Sequence, residues 1–84
     1  MKTFFVEMTD TYGGEANYCW VNRFKVKASS MLGAIRKVTR ETGYPARKDW
    51  DGGDTSRYNV PHCAICYFVS HWDEYCDYAN VKEL

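Results

Sequence analysis

The chain has 84 residues, of which 45% are hydrophobic and 17% aromatic, and its formal net charge is zero. Residues 1–84 therefore suffice for one domain with a real core, which argues against a disordered chain. No apolar run approaches the roughly 20 residues of a membrane-spanning helix, and the start MKTFFVEMTD is too brief for a secretory signal. We expect a cytoplasmic protein without membrane partners, whose four cysteines are free, metal-bound or reactive.

The charges are segregated along the chain. Residues 21–48 contain eight basic side chains and one acid, whereas residues 49–84 contain two basic side chains and seven acids. These blocks either pair with each other across the fold or present a basic face and an acidic face to partners.

The first two predicted elements are strands, over residues 3–8 and 18–28, joined by a loop around Gly13 and Gly14. The second strand alternates clearly between apolar and polar positions. Its predicted buried face holds Tyr18, Trp20, Phe24, Val26 and Ala28, and its exposed face holds the basic residues Arg23, Lys25 and Lys27.

A helix is predicted over about 30–42. Ser29 or Ser30 is a suitable N-cap, and Gly43, followed by Pro45, ends the helix. Its apolar stripe consists of Met31, Ala34, Ile35 and Val38, widened by Leu32, with Arg36, Lys37 and Arg40 outside it.

The second half predicts two more strands and a tail. The stretch RKDWDGGDTSRYNV begins as a loop and becomes a strand near Arg57, and HCAICYFVSHW is the next strand. The acidic tail, residues 73–84, is predicted as a short helix, a flexible arm, or both in turn. The order ββαββ predicts an α+β fold in which an antiparallel sheet of about four strands carries the helix on one face.

A possible zinc site lies in the cysteine-rich strand. Cys63, Cys66, His71 and Cys76 have the C-x2-C-x4-H-x4-C spacing of a zinc knuckle. The residues after Cys66, Tyr-Phe-Val-Ser, instead favour an extended strand, in which Cys63 and Cys66 point to opposite faces. We therefore predict a strand without a metal cofactor and keep zinc as the alternative.

Two other kinds of site are weakly supported. The loop KDWDGGD has Asp49, Asp51 and Asp54, but its glycines and acids are out of register for a calcium loop, so a solvated turn is favoured. His62 and His71 are the only bases near the cysteines, and no nucleophile elbow, phosphate loop or His-Glu-x-x-His run occurs. We expect the protein not to be an enzyme.

Binding surfaces are the remaining candidates. The basic residues Arg23, Lys25 and Lys27 on the strand, and Arg36, Lys37 and Arg40 on the helix, could contact phosphates, but the two sets are expected on opposite sides of the domain. The acidic residues Asp49, Asp51 and Asp54, together with Asp73, Glu74 and Asp77, suit a basic protein. Candidate aromatic anchors are Tyr12, Trp50, Tyr58 and Trp72.

The stretch GGEANYCWVNRFKVKASSMLGAIRKVTRETG, followed by GDTSRYN and the cysteine-rich strand, resembles short uncharacterised proteins encoded in phages and prophages. The likeness covers roughly residues 3–70. It implies a small anti-defence protein, of the anti-CRISPR type, that blocks a host protein or ribonucleoprotein complex without catalysis. It transfers no functional residues.

Three functions follow as hypotheses. The first is an inhibitor of a bacterial defence complex that binds through a charged surface with aromatic side chains. The second is a nucleic-acid-binding accessory protein, with or without the zinc knuckle. The third is a regulatory or structural homodimer, since the sequence leaves the choice between monomer and homodimer open.

Overall fold

Six strands form one mixed sheet, and a single helix packs across one face of it. The structure is a computed structural model that describes all 84 residues. Its elements are β1 (Lys2–Asp10), β2 (Val21–Ala28), α1 (Met31–Thr42), β3 (Arg47–Asp51), β4 (Thr55–Asn59), β5 (Ile65–His71) and β6 (Val81–Glu83), with short 3-10 turns at Tyr12–Gly14 and Glu74–Cys76. The strand order is β3-β4-β5-β1-β2-β6.

The predicted α+β class is confirmed, but the predicted sheet was wrong in two respects. It has six strands and not four, and it is not purely antiparallel, because β6 pairs parallel to β2 through Arg23 and Val81, Phe24 and Lys82, and Lys25 and Glu83. The other strand pairs are antiparallel.

The helix ends where its sequence predicts. Ser30 Oγ accepts a hydrogen bond from the Gly33 amide at 3.1 Å, which satisfies one of the free N–H groups of the first turn. At the other end Gly43 takes the left-handed conformation, with φ of 81°, and its N–H donates to the Thr39 carbonyl. The helix has twelve residues, and it is neither long nor apolar enough to cross a membrane.

The hydrophobic core lies between α1 and the sheet face that the helix covers. The predicted stripe residues Ala34, Ile35 and Val38 are buried, whereas Leu32 is largely exposed. They form one cluster with Val60, which follows β4, and with alternate residues of the sheet, namely Phe4, Val6, Met8, Phe24, Val26, Ala28, Tyr58, Tyr67 and Val69. At the C-terminal end of α1, the buried Tyr67 hydroxyl hydrogen-bonds Thr42 Oγ1 at 2.7 Å and donates to the Tyr44 carbonyl at 3.1 Å.

Strand β2 begins at Val21, three residues later than predicted. Tyr18 and Trp20 are therefore exposed loop residues and not part of the buried face. The loop is held by the buried carboxylate of Asp10, whose Oδ1 accepts the Cys19 amide at 2.8 Å. Thr9 Oγ1 also donates to the Trp20 carbonyl at 2.7 Å. Because of these contacts, the strand begins only at Val21, although the alternating pattern in the sequence begins at Tyr18.

Two strands were missed altogether. Residues 47–51 were predicted as a loop but form β3, an edge strand that hairpins onto β4. The tail, predicted as a helix or a flexible arm, passes through the Glu74–Cys76 turn and forms β6. There Lys82 Nζ donates to Glu41 Oε1 of α1, so the tail is tied to both the sheet and the helix.

Candidate functional site

The sheet face opposite the helix is the candidate site; we call it the open face. In an antiparallel pair, residues directly opposite each other lie on the same face. Glu7 is opposite Arg23 on β2 and opposite Phe68 on β5, and Phe68 is opposite Arg57 on β4. A row of three charged side chains and one aromatic ring, in the order Arg23, Glu7, Phe68 and Arg57, therefore crosses the centre of the open face.

The charges in this row are paired. Arg23 Nε lies 3.1 Å from Glu7 Oε2, and Arg57 Nε lies 3.6 Å from Asp49 Oδ2 of the edge strand. Arg57 Nε also donates to Asn59 Oδ1 at 3.0 Å. Both arginines are more than two-thirds buried, so these contacts hold them in fixed positions on the face.

The chain after β5 folds back over one side of the open face. The Phe5 ring, which is buried, contacts the rings of Trp72 at 5.7 Å and Tyr78 at 5.8 Å, between centroids. Arg23 and Lys25 lie over the Tyr78 and Trp72 rings at 4.0 and 4.7 Å. Two of the predicted phosphate-binding cations are thus engaged by aromatic rings of the tail.

A groove of about 330 Å³ lies between this covering segment and the loop before β2. Its lining residues are Phe5, Glu7, Tyr18, Thr55, Phe68, Ser70, Asp73, Tyr75, Cys76 and Tyr78. We call it the aromatic groove. Tyr18 forms one wall, with its ring stacked on Phe68 at 6.2 Å and its backbone at φ of 55°, a conformation uncommon outside glycine. Tyr75, which is 82% exposed, also lines the groove.

The groove lining contains carboxylates but no basic side chain. Glu7 is on its floor and Asp73 is at its rim, where Asp73 Oδ1 accepts the Tyr75 amide at 2.8 Å. Burial and the charge of Glu7 raise the pKa of the Tyr18 hydroxyl. Burial, with a further contribution from Asp73 and Glu7, also raises the pKa of the Cys76 thiol. Burial is the main cause of both pKa shifts, and the nearby carboxylates add to it.

The two predicted basic sets lie on opposite sides of the domain. Every second residue of β2 from position 23 to position 27 is basic and lies on the open face: Arg23, Lys25 and Lys27. The basic residues of α1 lie on the helix side: Arg36, Lys37 and Arg40. Lys37 Nζ donates to the Lys27 carbonyl at 2.5 Å, across the sheet edge. The structure therefore does not combine the two sets into one basic surface.

The predicted acidic set lies in and beside the β3–β4 hairpin. Asp49 pairs with Arg57, as described, and Trp50 is 43% exposed. Asp51 accepts the Gly53 amide at 2.9 Å and pairs with Lys48 at 3.2 Å, and these contacts lower the pKa of its carboxyl group. Asp54 is exposed in the turn. Asp49 and Asp51 therefore stabilise the hairpin, each through its own contacts.

The strand predicted over HCAICYFVSHW forms only from Ile65 to His71, as β5, so Cys63 lies before the strand and not on one of its faces. Cys66 and His71 lie on opposite faces of β5, and the His71 ring contacts Phe4 at 5.1 Å on the helix side. Cys63 is exposed in the turn before β5, and Cys76 is buried at the groove. No three His, Cys, Asp or Glu side chains are grouped as metal ligands.

The aromatic candidates fall into three environments. Tyr12 and Trp50 are exposed, Trp72 is half-buried against Phe5, and Tyr58 is 2% exposed in the core, so Tyr58 cannot anchor a partner. Sequence reasoning missed Tyr18, Tyr75 and Tyr78, which line the groove. The run of aromatic residues from Trp72 to Tyr78 was the available signal.

In comparisons with known proteins, no family model matches this chain, and no curated protein or solved structure matches it at a significant level.

Proposed function

We propose that the protein acts by binding, as a small phage-encoded inhibitor that occupies a bacterial defence complex. The resemblance to phage proteins suggests this biological setting, and the open face provides the interface. The observation that carries the proposal is the concentration of accessible tyrosine side chains beside fixed arginines on that face.

The composition of the open face suits a protein interface. Tyrosine, tryptophan and arginine dominate the binding energy of such interfaces. Tyr18, Tyr75 and Tyr78 remain 49%, 82% and 45% exposed, although they line a groove together with Phe5 and Phe68. Arg23 and Arg57 are already held by acidic partners, so little side-chain entropy is lost when a partner covers them.

The state of the cysteines supports binding over catalysis. A catalytic cysteine needs a lowered pKa or an adjacent base. Burial raises the pKa of the Cys66 and Cys76 thiols, and the charge of Asp10 raises that of Cys19. The raised values work against a reactive thiolate at these three positions.

The experiment is a phage plating assay on bacterial strains that each carry one active defence system, including several CRISPR types. Expression of the protein is expected to restore plating on at least one strain by a factor of ten or more, roughly, since complete inhibition removes the immunity. The control is the same vector without the gene. A plating efficiency that stays at the control level on every strain would reject the inhibitor function.

Nucleic-acid binding is the second candidate, favoured by Arg23, Lys25 and Lys27 at alternate positions of β2 beside the Trp72 and Tyr78 rings. Because β5 separates the four knuckle residues, this candidate rests on the basic strand alone. It predicts a shift of labelled DNA or RNA at about 50 mM salt that is lost steeply as salt rises. The variant Lys27→Glu should abolish most of the shift, and no shift at low salt would eliminate the candidate.

A further inference from the structure

The aromatic groove has room for one side chain of a partner. Its volume, about 330 Å³, is at the lower end of the range for small-ligand sites, and it is open along one side. Its lining includes the apolar rings of Phe5 and Phe68 and the more exposed rings of Tyr18 and Tyr75. An occupant must therefore be long and thin, or flat, with apolar atoms along its length.

The charge around the groove selects among such occupants. Asp73 lines the groove, Glu74 and Asp77 belong to the short turn that follows it, and none of the ion pairs in the structure includes these three acids. The neighbouring cations Arg23 and Arg57 already neutralise Glu7 and Asp49. The rim thus retains uncompensated negative charge, which favours a cation and opposes a phosphate or a carboxylate.

The tyrosine rings differ in what they can still bind. Tyr78 is occupied, because Phe5 stacks on its ring and Arg23 lies 4.0 Å from its centroid. Tyr75 makes no ring contact, and Tyr18 makes only its stack on Phe68. Tyr18 and Tyr75 therefore have ring surface free for a cation–π contact.

We propose that the aromatic groove captures an arginine or lysine side chain from a basic surface segment of a partner protein. The stem of that side chain would lie on the partly exposed Phe68, and its charged head would lie near Tyr18 and Tyr75, facing Asp73. This proposal rests on the proposed binding function, which it deepens by naming the chemistry of the partner and the site that receives it.

The first test uses the full-length protein, labelled with nitrogen-15, and capped five-residue peptides. One peptide is Gly-Ser-Arg-Ser-Gly, and its control has citrulline, a neutral isostere, in place of arginine. The arginine peptide is expected to shift the amide signals of residues 68–70 and 73–78, with an affinity at least about fivefold higher than that of the citrulline peptide. Equal affinities, or shifts confined to the helix side, would overturn the proposal.

Matched variants localise the binding. Tyr75→Ala should weaken the arginine peptide by roughly fivefold, whereas Tyr12→Ala, which removes a similarly exposed tyrosine outside the groove, should leave it unchanged. Asp73→Asn keeps an oxygen to accept the Tyr75 amide and should also weaken binding, in contrast to Asp54→Asn. Equal effects within either pair would contradict the assignment.

Plating assays with the same variants separate this proposal from the inhibitor function. If the unmodified protein restores phage plating and Tyr75→Ala restores it equally well, inhibition stands and the groove is not the interface. If the arginine peptide binds as expected but no strain is rescued, the groove stands and the inhibitor function fails. Concentration-dependent shifts of the groove signals without peptide would mean that a second copy occupies it, and would overturn the proposal.

Discussion

The guanidinium of Arg23 lies 4.0 Å from the centroid of the Tyr78 ring, although 54 residues separate these two positions in the chain. The Tyr78 ring also stacks on Phe5, at 5.8 Å between centroids and 15° between ring planes. The tyrosine therefore joins the tail to the open face through two different interactions. These two interactions therefore hold the part of the tail that lines the aromatic groove.

Removal of the Tyr78 ring should loosen the tail. The variant Tyr78→Ala loses the stack on Phe5 and the cation–π contact with Arg23, and we expect the free energy of unfolding to fall by about 1–2 kcal/mol. Hydrogen exchange of residues 73–83 should accelerate by more than that of β1. The control Tyr75→Ala, which removes an 82% exposed ring, should change stability by less than about 0.5 kcal/mol. Equal losses in the two variants would contradict this role.

The two glycines of the helix region should respond in opposite directions to alanine. At Gly33 a new Cβ would lie 3.5 Å from Ala28 Cβ, an ordinary contact, so Gly33→Ala should stabilise the protein by about 0.5–1 kcal/mol through its higher helix propensity. At Gly43 there is space, but φ of 81° strains any L residue, so Gly43→Ala should destabilise by about 1 kcal/mol. Urea unfolding of both variants measures the difference, and the same sign in both would refute the helix end described.

Acid should weaken the fold through Asp10. Burial alone would raise the pKa of this carboxyl group, but hydrogen bonds, led by that from the Cys19 amide, hold it below its ordinary value. Because the folded-state pKa is the lower one, ionisation stabilises the fold above the unfolded-state pKa, and this contribution is lost as pH falls through the folded-state pKa. We expect the free energy of unfolding to decrease below about pH 4.

The variant Asp10→Asn tests the source of that pH dependence. It removes the ionisable group, so its unfolding free energy should change less between pH 7 and pH 3 than that of the unmodified protein. A smaller dependence will remain because the pKa of Asp51 is also lowered. Identical losses for both proteins over this range would assign the acid sensitivity to other carboxylates.

The four thiols should divide into two classes. Cys19 and Cys63 are exposed, whereas Cys66 and Cys76 are buried and burial raises the pKa of both buried thiols. In a disulfide-exchange assay with Ellman's reagent, the two exposed thiols should react in the folded protein, Cys19 more slowly than Cys63 because the charge of Asp10 raises the pKa of Cys19, and the two buried thiols should react only on unfolding. Elemental analysis of protein purified without chelator should find far less than one zinc per chain. Stoichiometric zinc, lost in Cys66→Ser, would mean that β5 is not a continuous strand.

The helix could be predicted because its signals are local. The Ser30 cap, the stripe through Val38 and the stop at Gly43 all lie within fourteen residues, and each acts through neighbours in sequence. β3 could not be predicted in the same way, because every residue of RKDWD is exposed and no face alternates. Its pairing with β4, and not its own composition, makes it a strand.

The strand in the tail and the groove could not be predicted from the sequence either, because both depend on contacts between residues that are far apart in the chain. β6 has three residues, and its parallel partner β2 lies more than fifty positions earlier. The cations on β2 were recognised as an exposed basic set, but the carboxylates that pair with Arg23 and Lys25 and the rings that cover them reach these residues only in the folded chain. A sequence pattern indicates which side chains are exposed on an element. It does not indicate which residues from distant parts of the chain contact them.

The central place of β1 has a consequence for synthesis on the ribosome. This strand is made first, yet one of its edges pairs with β5, whose residues are 65–71. While the intervening chain emerges, β1 can pair only with β2, and its other edge keeps unpaired amides and carbonyls. Nascent chains in that state can join edge to edge. Slow translation between β2 and β5 should therefore increase aggregation, and a chaperone that shields extended segments should reduce it.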